Sequence, residues 1–252
     1  MKKIFLLLTI LTFYGCSKTE DDTDYICTSD CTTLQGRFIT LDNEGVSEVK
    51  ISIEYKIGGG IYPAYIRKIA ETTTDEDGNF YKDFYIEDSE LGTSADGYFL
   101  VKVDDSNLNV DNYILTDNLT GTTTSLDFGI PYINTRDTII GNTFYLPKKT
   151  YITVNLNNFN PIQEGDYFEV RTLYPFGPNI GDNDFLDSEY STGFSGYGAF
   201  QANGQNTQQL PFVAENEENI IRIARRKNGV NTIEDFPVFV PSNNSIELNY
   251  DY

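Results

Sequence analysis

From residue 34 onward the chain is a succession of short β-rich runs divided by Gly, Asn and Asp turns, and no apolar period of 3.6 residues lasts long enough to make a helix. Apolar residues at every second position can be buried together only on one face of a pleated strand. In Val49-Lys50-Ile51-Ser52-Ile53-Glu54-Tyr55 the alternation puts Val49, Ile51, Ile53 and Tyr55 on one face. Gln35 to Leu41 precedes this run across the turn Asp42-Asn43-Glu44-Gly45. Ile69 to Thr74 and Asn79 to Ile86 flank Asp75-Glu76-Asp77-Gly78, where Asp-Gly favours positive φ in a tight hairpin. Phe99 to Val103 continues the series, and the expected class is all-β with antiparallel sheets.

Composition decides whether such strands can find a core. Apolar residues make up 39% of the 252 and aromatics 14%, enough for folding despite a formal charge of −20. That charge repels phosphate backbones and excludes nucleic acid as an expected partner. The chain has no His, which removes Ser-His-Asp and Cys-His triads, HExxH zinc proteases and every His-ligated metal site. The chemistry left to an enzyme is a carboxylate pair acting on glycosides, and the acids are so numerous that no pair stands out. A non-enzymatic protein without a cofactor is the expectation.

The N-terminus carries an address. Met1-Lys2-Lys3 is a basic start, Ile4 to Phe13 is apolar, and Gly15-Cys16 follows. Such a stretch is too short for a membrane-spanning helix, which needs about 20 residues, and it reads as a signal peptide over residues 1–15. The cysteine directly after the cleavage position resembles a bacterial lipoprotein signal, in which diacylglycerol is attached to the thiol, here that of Cys16. Phe13 and Tyr14 stand where Leu and a small residue are usual, a relaxed form similar to that of Bacteroidota. Ordinary secretion with a free Cys16 thiol is the alternative. Ser17-Lys18-Thr19-Glu20-Asp21-Asp22 reads as a structureless tether within an acidic linker spanning 16–32, and it is similar to the export signal of surface-exposed lipoproteins. The resemblance implies an outer-membrane lipoprotein facing the cell exterior, with the membrane as partner through the lipid; the other reading is a plain solvated linker.

Cys27 and Cys31 form a close pair, and an oxidising compartment favours a short-loop disulfide between them. A metal site would need four ligands that the chain cannot supply, and a redox motif would need a βαβ unit. Free thiols are the remaining reading.

"LQGRFITLDNEGVSEVKISI" followed by "TTTDEDGNF" resembles the carboxypeptidase regulatory-like domain, through Gly36, Gly45, Val49 and Thr74 to Phe80. The resemblance runs over residues 33 to 104. It implies a transthyretin-like seven-stranded sandwich over 33–148, used as an accessory or spacer module, with no catalytic residue to carry over. An internal repeat adds a second unit over 149–252. Thr138-Ile139, Tyr145-Leu146-Pro147, Ile152 and Val154-Asn155-Leu156 align without gaps on Thr232-Ile233, Phe239-Val240-Pro241, Ile246 and Leu248-Asn249-Tyr250, at a constant offset of 94. Two Ig/transthyretin-like sandwiches in tandem that end alike are expected, one closing near Leu156 and one at the C-terminus; chance similarity of two edge strands is the alternative. The second unit would hold Tyr167 to Leu173, Gln208 to Val213, and Ile220 to Arg226 turned by Asn228-Gly229 into Val230 to Ile233.

The long Gly-rich connection between residues 174 and 201 is the candidate working loop. Tyr174, Phe176, Phe185, Tyr190, Phe194, Tyr197 and Phe200 offer rings on which sugars could stack. Asp182, Asp184, Asp187 and Glu189 have the oxygen density that Ca²⁺ wants, without EF-hand spacing. An ordered structural flap, a ligand-binding loop and a calcium loop are all open readings. Asp105 to Asp111 reads as a polar turn, with a calcium loop lacking its central Gly as the alternative; Gly58-Gly59-Gly60 reads as a hairpin tip, and Arg222, Arg225, Arg226 and Lys227 as a basic cluster offsetting nearby carboxylates, with anion binding as the alternative. Asp137-Thr138-Ile139 resembles a short O-glycosylation signal.

Three functions are weighed. The first is a lipid-anchored surface protein for binding or assembly, contacting envelope proteins. The second is a glycan-binding accessory lipoprotein of a polysaccharide-uptake system, against which the missing Trp counts. The third is a carboxylate-pair glycoside hydrolase.

Overall fold

The computed structural model describes residues 18–58, 64–115, 126–178, 196–243 and 245–252. The expectation of an all-β chain holds: among these residues the one helical element is a single 3-10 turn, Asp88–Glu90. The first half supplies β1 (Lys18–Asp21), β2 (Thr32–Ile39), β3 (Lys50–Ile57), β4 (Tyr65–Thr73), β5 (Asn79–Phe84), β6 (Tyr98–Asp104), β7 (Phe128–Ile130) and β8 (Ile139–Tyr145). The second half supplies β9 (Lys149–Tyr151), β10 (Thr153–Asn157), β11 (Tyr167–Tyr174), β12 (Gly177–Pro178), β13 (Gly196–Gln201), β14 (Thr207–Gln209), β15 (Phe212–Ala214), β16 (Glu217–Lys227), β17 (Val230–Val240) and β18 (Glu247–Asp251).

Two sheets, ordered β1-β4-β3-β6-β7 and β12-β8-β2-β5, close on the first core. The alternation acts as its sequence demands, with Val49, Ile51, Ile53 and Tyr55 all buried; the register with β4 shifts between Ile53 and Glu54, and Glu54 is buried as well. Phe38 of β2 stacks on Phe144 of β8 at 4.3 Å, with Phe80 of β5 tilted against both. Each such ring contributes about 1.5–3 kcal/mol by leaving water. Thr74 ties the connection at this end, its buried hydroxyl accepting from the Val49 N–H at 3.0 Å and donating to the Val46 carbonyl at 2.8 Å.

A second core gathers Ile152, Val154, Leu156, Phe168, Val170, Val213, Ile221, Ile223 and Val240 between the sheets β13-β11-β16-β17 and β14-β10-β18. The β16–β17 hairpin turns on Asn228 and Gly229, both at positive φ (52° and 78°), the geometry that Asn-Gly adopts most readily. Pro237, which lacks an N–H, sits on β17 at the sheet edge, where none is needed.

Three expectations are corrected. The pairings are not all antiparallel, since β1 with β4, β2 with β8 and β10 with β18 run parallel. Residues 17–22 are not a structureless tether throughout: β1 adds to the edge of β4, with Lys18 opposite Tyr65 and Asp21 opposite Lys68. The repeat does not close two separate sandwiches, because β10 lies in the second core beside β18, Val154 facing Leu248 and Leu156 facing Tyr250. Leu146 and Val240 are each fully buried ahead of their prolines, but the chain after Pro147 crosses into the other core, where the apolar face of Ile152, Val154 and Leu156 is covered.

The strand directions give the first sandwich two distinct poles. The N-terminal chain enters where β4 and β6 begin and β3 ends, as the pairs Lys18–Tyr65, Tyr65–Ile57 and Lys56–Tyr98 establish. The second core is joined at the opposite pole, where β2 and β8 end: β12 pairs with Phe144 and Tyr145 of β8, and Glu215 N–H donates to the Lys148 carbonyl at 2.9 Å.

Candidate functional site

The long connection does not present its first rings to a ligand. Tyr174 and Phe176 are both 0% exposed and belong to the first core, not to an open stacking surface. The reason is local: β12 follows immediately and adds to β8, drawing the chain down between the two units. Phe200 is half-buried and meets Phe212 edge-on at 5.8 Å. Tyr197 lies on β13, but its side chain is outside what the structure describes, and Phe185, Tyr190, Phe194 and the acids Asp182, Asp184, Asp187 and Glu189 all lie outside the described residues. Among the described residues no group of three or more Cys, Asp or Glu is arranged to hold a metal ion.

Gly59 and Gly60 of the expected hairpin tip lie outside the described residues, and the other motifs take the following forms. Asp104 accepts from Ser106 N–H and Asn109 from Asp111 N–H, so the 105–111 stretch is a pair of side-chain-capped turns over buried Leu108. Three members of the basic cluster are paired: Arg222 grips Asp235 with two nitrogens at 2.7 and 2.8 Å, Arg225 pairs with Glu234, and Lys227 donates to the Tyr252 carbonyl at 3.0 Å, whereas the buried Nε of Arg226 has no partner. Cys27 and Cys31 are bonded to one another, with Cα atoms 5.9 Å apart. Cys16 lies outside the described residues.

What the sequence reading missed lies at the two poles. At the entry pole Arg67 of β4 is 3% exposed and holds both the buried Glu90 and Asp22, the latter at 3.0 Å. Tyr65 donates its hydroxyl to Glu20 at 2.7 Å, and Asp22 N–H donates to the Lys68 carbonyl at 2.8 Å. Hydrogen bonding to the Glu20 carboxylate, with burial, pushes the Tyr65 phenol up to about 12. Two of the acids that read as a tether, Glu20 and Asp22, are thus side-chain partners of the sheet. A signal existed: Arg67 shares its face with Ile69, and a cation on a buried face requires an acid. Arg136 adds a cation over the Tyr85 ring at 4.4 Å and pairs with Asp88. Beside these, Tyr25, Ile26, Tyr98, Tyr132 and Ile139 stand exposed.

At the junction pole Glu217 of β16 is 2% exposed and reaches across to the first unit, where Oε1 accepts the Leu41 N–H at 3.0 Å. Its Oε2 has no partner, and burial, with the nearby Asp42 carboxylate, pushes its pKa up to about 7. Lys148, whose carbonyl accepts the Glu215 N–H, pairs through its ammonium with Glu44 beside the same junction. Asn142 in β8 is another buried polar group, both amide atoms lacking a partner.

No family model matches the chain, and no curated protein matches it. Similarities to solved structures are distant. The TIE protein of Bacillus anthracis aligns over 88% of this chain and 33% of its own at 12% identity, with a TM-score of 0.31. A streptococcal ancillary pilin aligns over 89% and 63% at 8% identity and TM-score 0.29, so the chain spans less than two thirds of both proteins. The tip fimbrial protein Mfa3 of Porphyromonas gingivalis aligns over 82% and 81% at 10% identity, with a TM-score of 0.25.

Proposed function

We propose that this is a non-enzymatic, lipid-anchored protein of the bacterial cell envelope, held at Cys16 and facing the exterior of the outer membrane, with its second sandwich carried outward for contact with other envelope proteins. The observation that carries this reading is the polarity of the first sandwich. The chain from Cys16 enters at one pole and the second core is attached at the other, so the first unit acts as a spacer between anchor and outer unit. Strand β3 alone spans about 26 Å of that separation at roughly 3.3 Å per residue. The signal-like segment ahead of Cys16 supports the anchor, and the absence of histidine supports a structural rather than catalytic role.

The test is metabolic labelling with an alkyne fatty acid, followed by membrane fractionation and protease treatment of intact cells. Label on the wild type, none on Cys16→Ser, and cleavage from outside are expected. Equal labelling of the two proteins overturns the anchor; protection of the lipidated protein in intact cells overturns the outward orientation.

A further inference from the structure

We propose that the entry pole of the first sandwich rests in the headgroup layer of the bilayer that holds Cys16, making the lipid surface a second contact of the protein beyond its acyl anchor. The inference rests on the reading of Cys16 as lipidated. Because β1 begins at Lys18, only Ser17 separates Cys16 from a residue paired into the sheet. Two residues reach about 7 Å at full extension. A sandwich docked that close to its anchor cannot swing free of the membrane, and the pole bearing β1 must face it.

That pole has the surface such a contact needs. Tyr98 opens β6, Tyr132 follows β7, Ile139 opens β8, and Tyr25 and Ile26 lie between β1 and β2; all five are exposed, from 37% for Tyr98 to 79% for Ile26. Tyrosine suits the interface, where its ring meets acyl carbon and its hydroxyl meets water. A chain of charge −20 would be repelled by an anionic surface, but four acids at this pole have side-chain partners: Glu20 with Tyr65, Asp22 and Glu90 with Arg67, and Asp88 with Arg136.

The experiment uses the full acylated protein, its diacylglycerol verified by mass, in phosphatidylethanolamine–phosphatidylglycerol vesicles bearing headgroup nitroxides. A fluorophore is placed on Tyr98→Cys at the entry pole or on Asn107→Cys beyond the far end of β6. Several-fold stronger quenching at 98 than at 107 is expected, and Ile26→Ser with Tyr132→Ser, both on exposed loops, should reduce it. Equal quenching at the two positions in protein of verified mass overturns the resting pole while leaving the anchor intact. Quenching at 98 that survives the double loop change unaltered overturns the lipid contact. Protein without diacylglycerol removes the anchor reading and this inference with it.

Discussion

Glu217 joins the two units through a carboxylate that has left water without gaining a cation. One oxygen accepts the Leu41 N–H, the other has no partner, and Asp42 adds a like charge. Burial therefore favours the protonated acid, and the pKa rises from the model-peptide 4.5 to about 7. The sign follows from proton binding: between these values the folded protein holds a proton that the unfolded chain has released, so stability falls as pH rises through that window. Below pH 4.5 both states are protonated and the group costs nothing on this account; above pH 7 the full penalty, about 3 kcal/mol, is in place. Glu217→Gln keeps an acceptor for Leu41 and cannot ionise. Urea unfolding of the two proteins across about pH 4 to pH 8 should give nearly equal stabilities at the acid end and an advantage of about 3 kcal/mol for the Gln protein at the alkaline end. Taking the difference cancels titrating groups far from the junction. A difference that does not vary with pH would refute the reasoning.

Three further outcomes are expected. Asn142→Leu removes two unpartnered buried amide atoms and should stabilise the protein by about 1–3 kcal/mol in urea; a loss of stability would mean that the amide is paired in solution. Phe176→Ala should cost about 3–5 kcal/mol, because the ring lies in the first core; an unchanged melting temperature would place it at the surface instead. Unreduced peptide mapping of exported protein should recover Cys27 and Cys31 in one linked peptide, and the small loop limits the loss in a double Ala variant to about 2–3 kcal/mol; two freely alkylated thiols would contradict the bond.

Strands were legible wherever one face alternates and a turn follows. The runs at 49–55, 79–86 and 167–173 became β3, β5 and β11, and Asn228-Gly229 became the β16–β17 turn. Edges were not legible in the same way. Residues 18–21 have no apolar alternation, and they form β1 because β4 offers an unpaired edge and Arg67 a buried cation, both supplied from more than forty residues away. Tyr174 and Phe176 were equally hidden, since a ring in a Gly-rich connection has the same local sequence whether it covers a core or stands in water. Their fate was decided by β12 pairing with β8, a contact outside any sequence window.

The repeat shows how a correct observation can carry a wrong topology. Similar sequences 94 residues apart suggest two similar endings, yet the register of β10 on β18 is that same offset, Thr153 opposite Glu247 through Asn157 opposite Asp251. Parallel pairing of like segments gives the same pleat on both strands, so Val154 and Leu156 present the inner face alongside Leu248 and Tyr250. The outer face then brings Asn155 against Asn249, with Asn155 Nδ2 donating to its counterpart's Oδ1 at 3.0 Å and to Glu247 at 2.7 Å. A slip of β18 by one residue would turn Leu248 and Tyr250 to water and carry Asn249 to the inner face, so the pattern that makes the segments look alike also fixes their alignment. The similarity thus has a physical use within one core: two copies of one strand pattern, each delivered by a Pro bend, complete the same sheet.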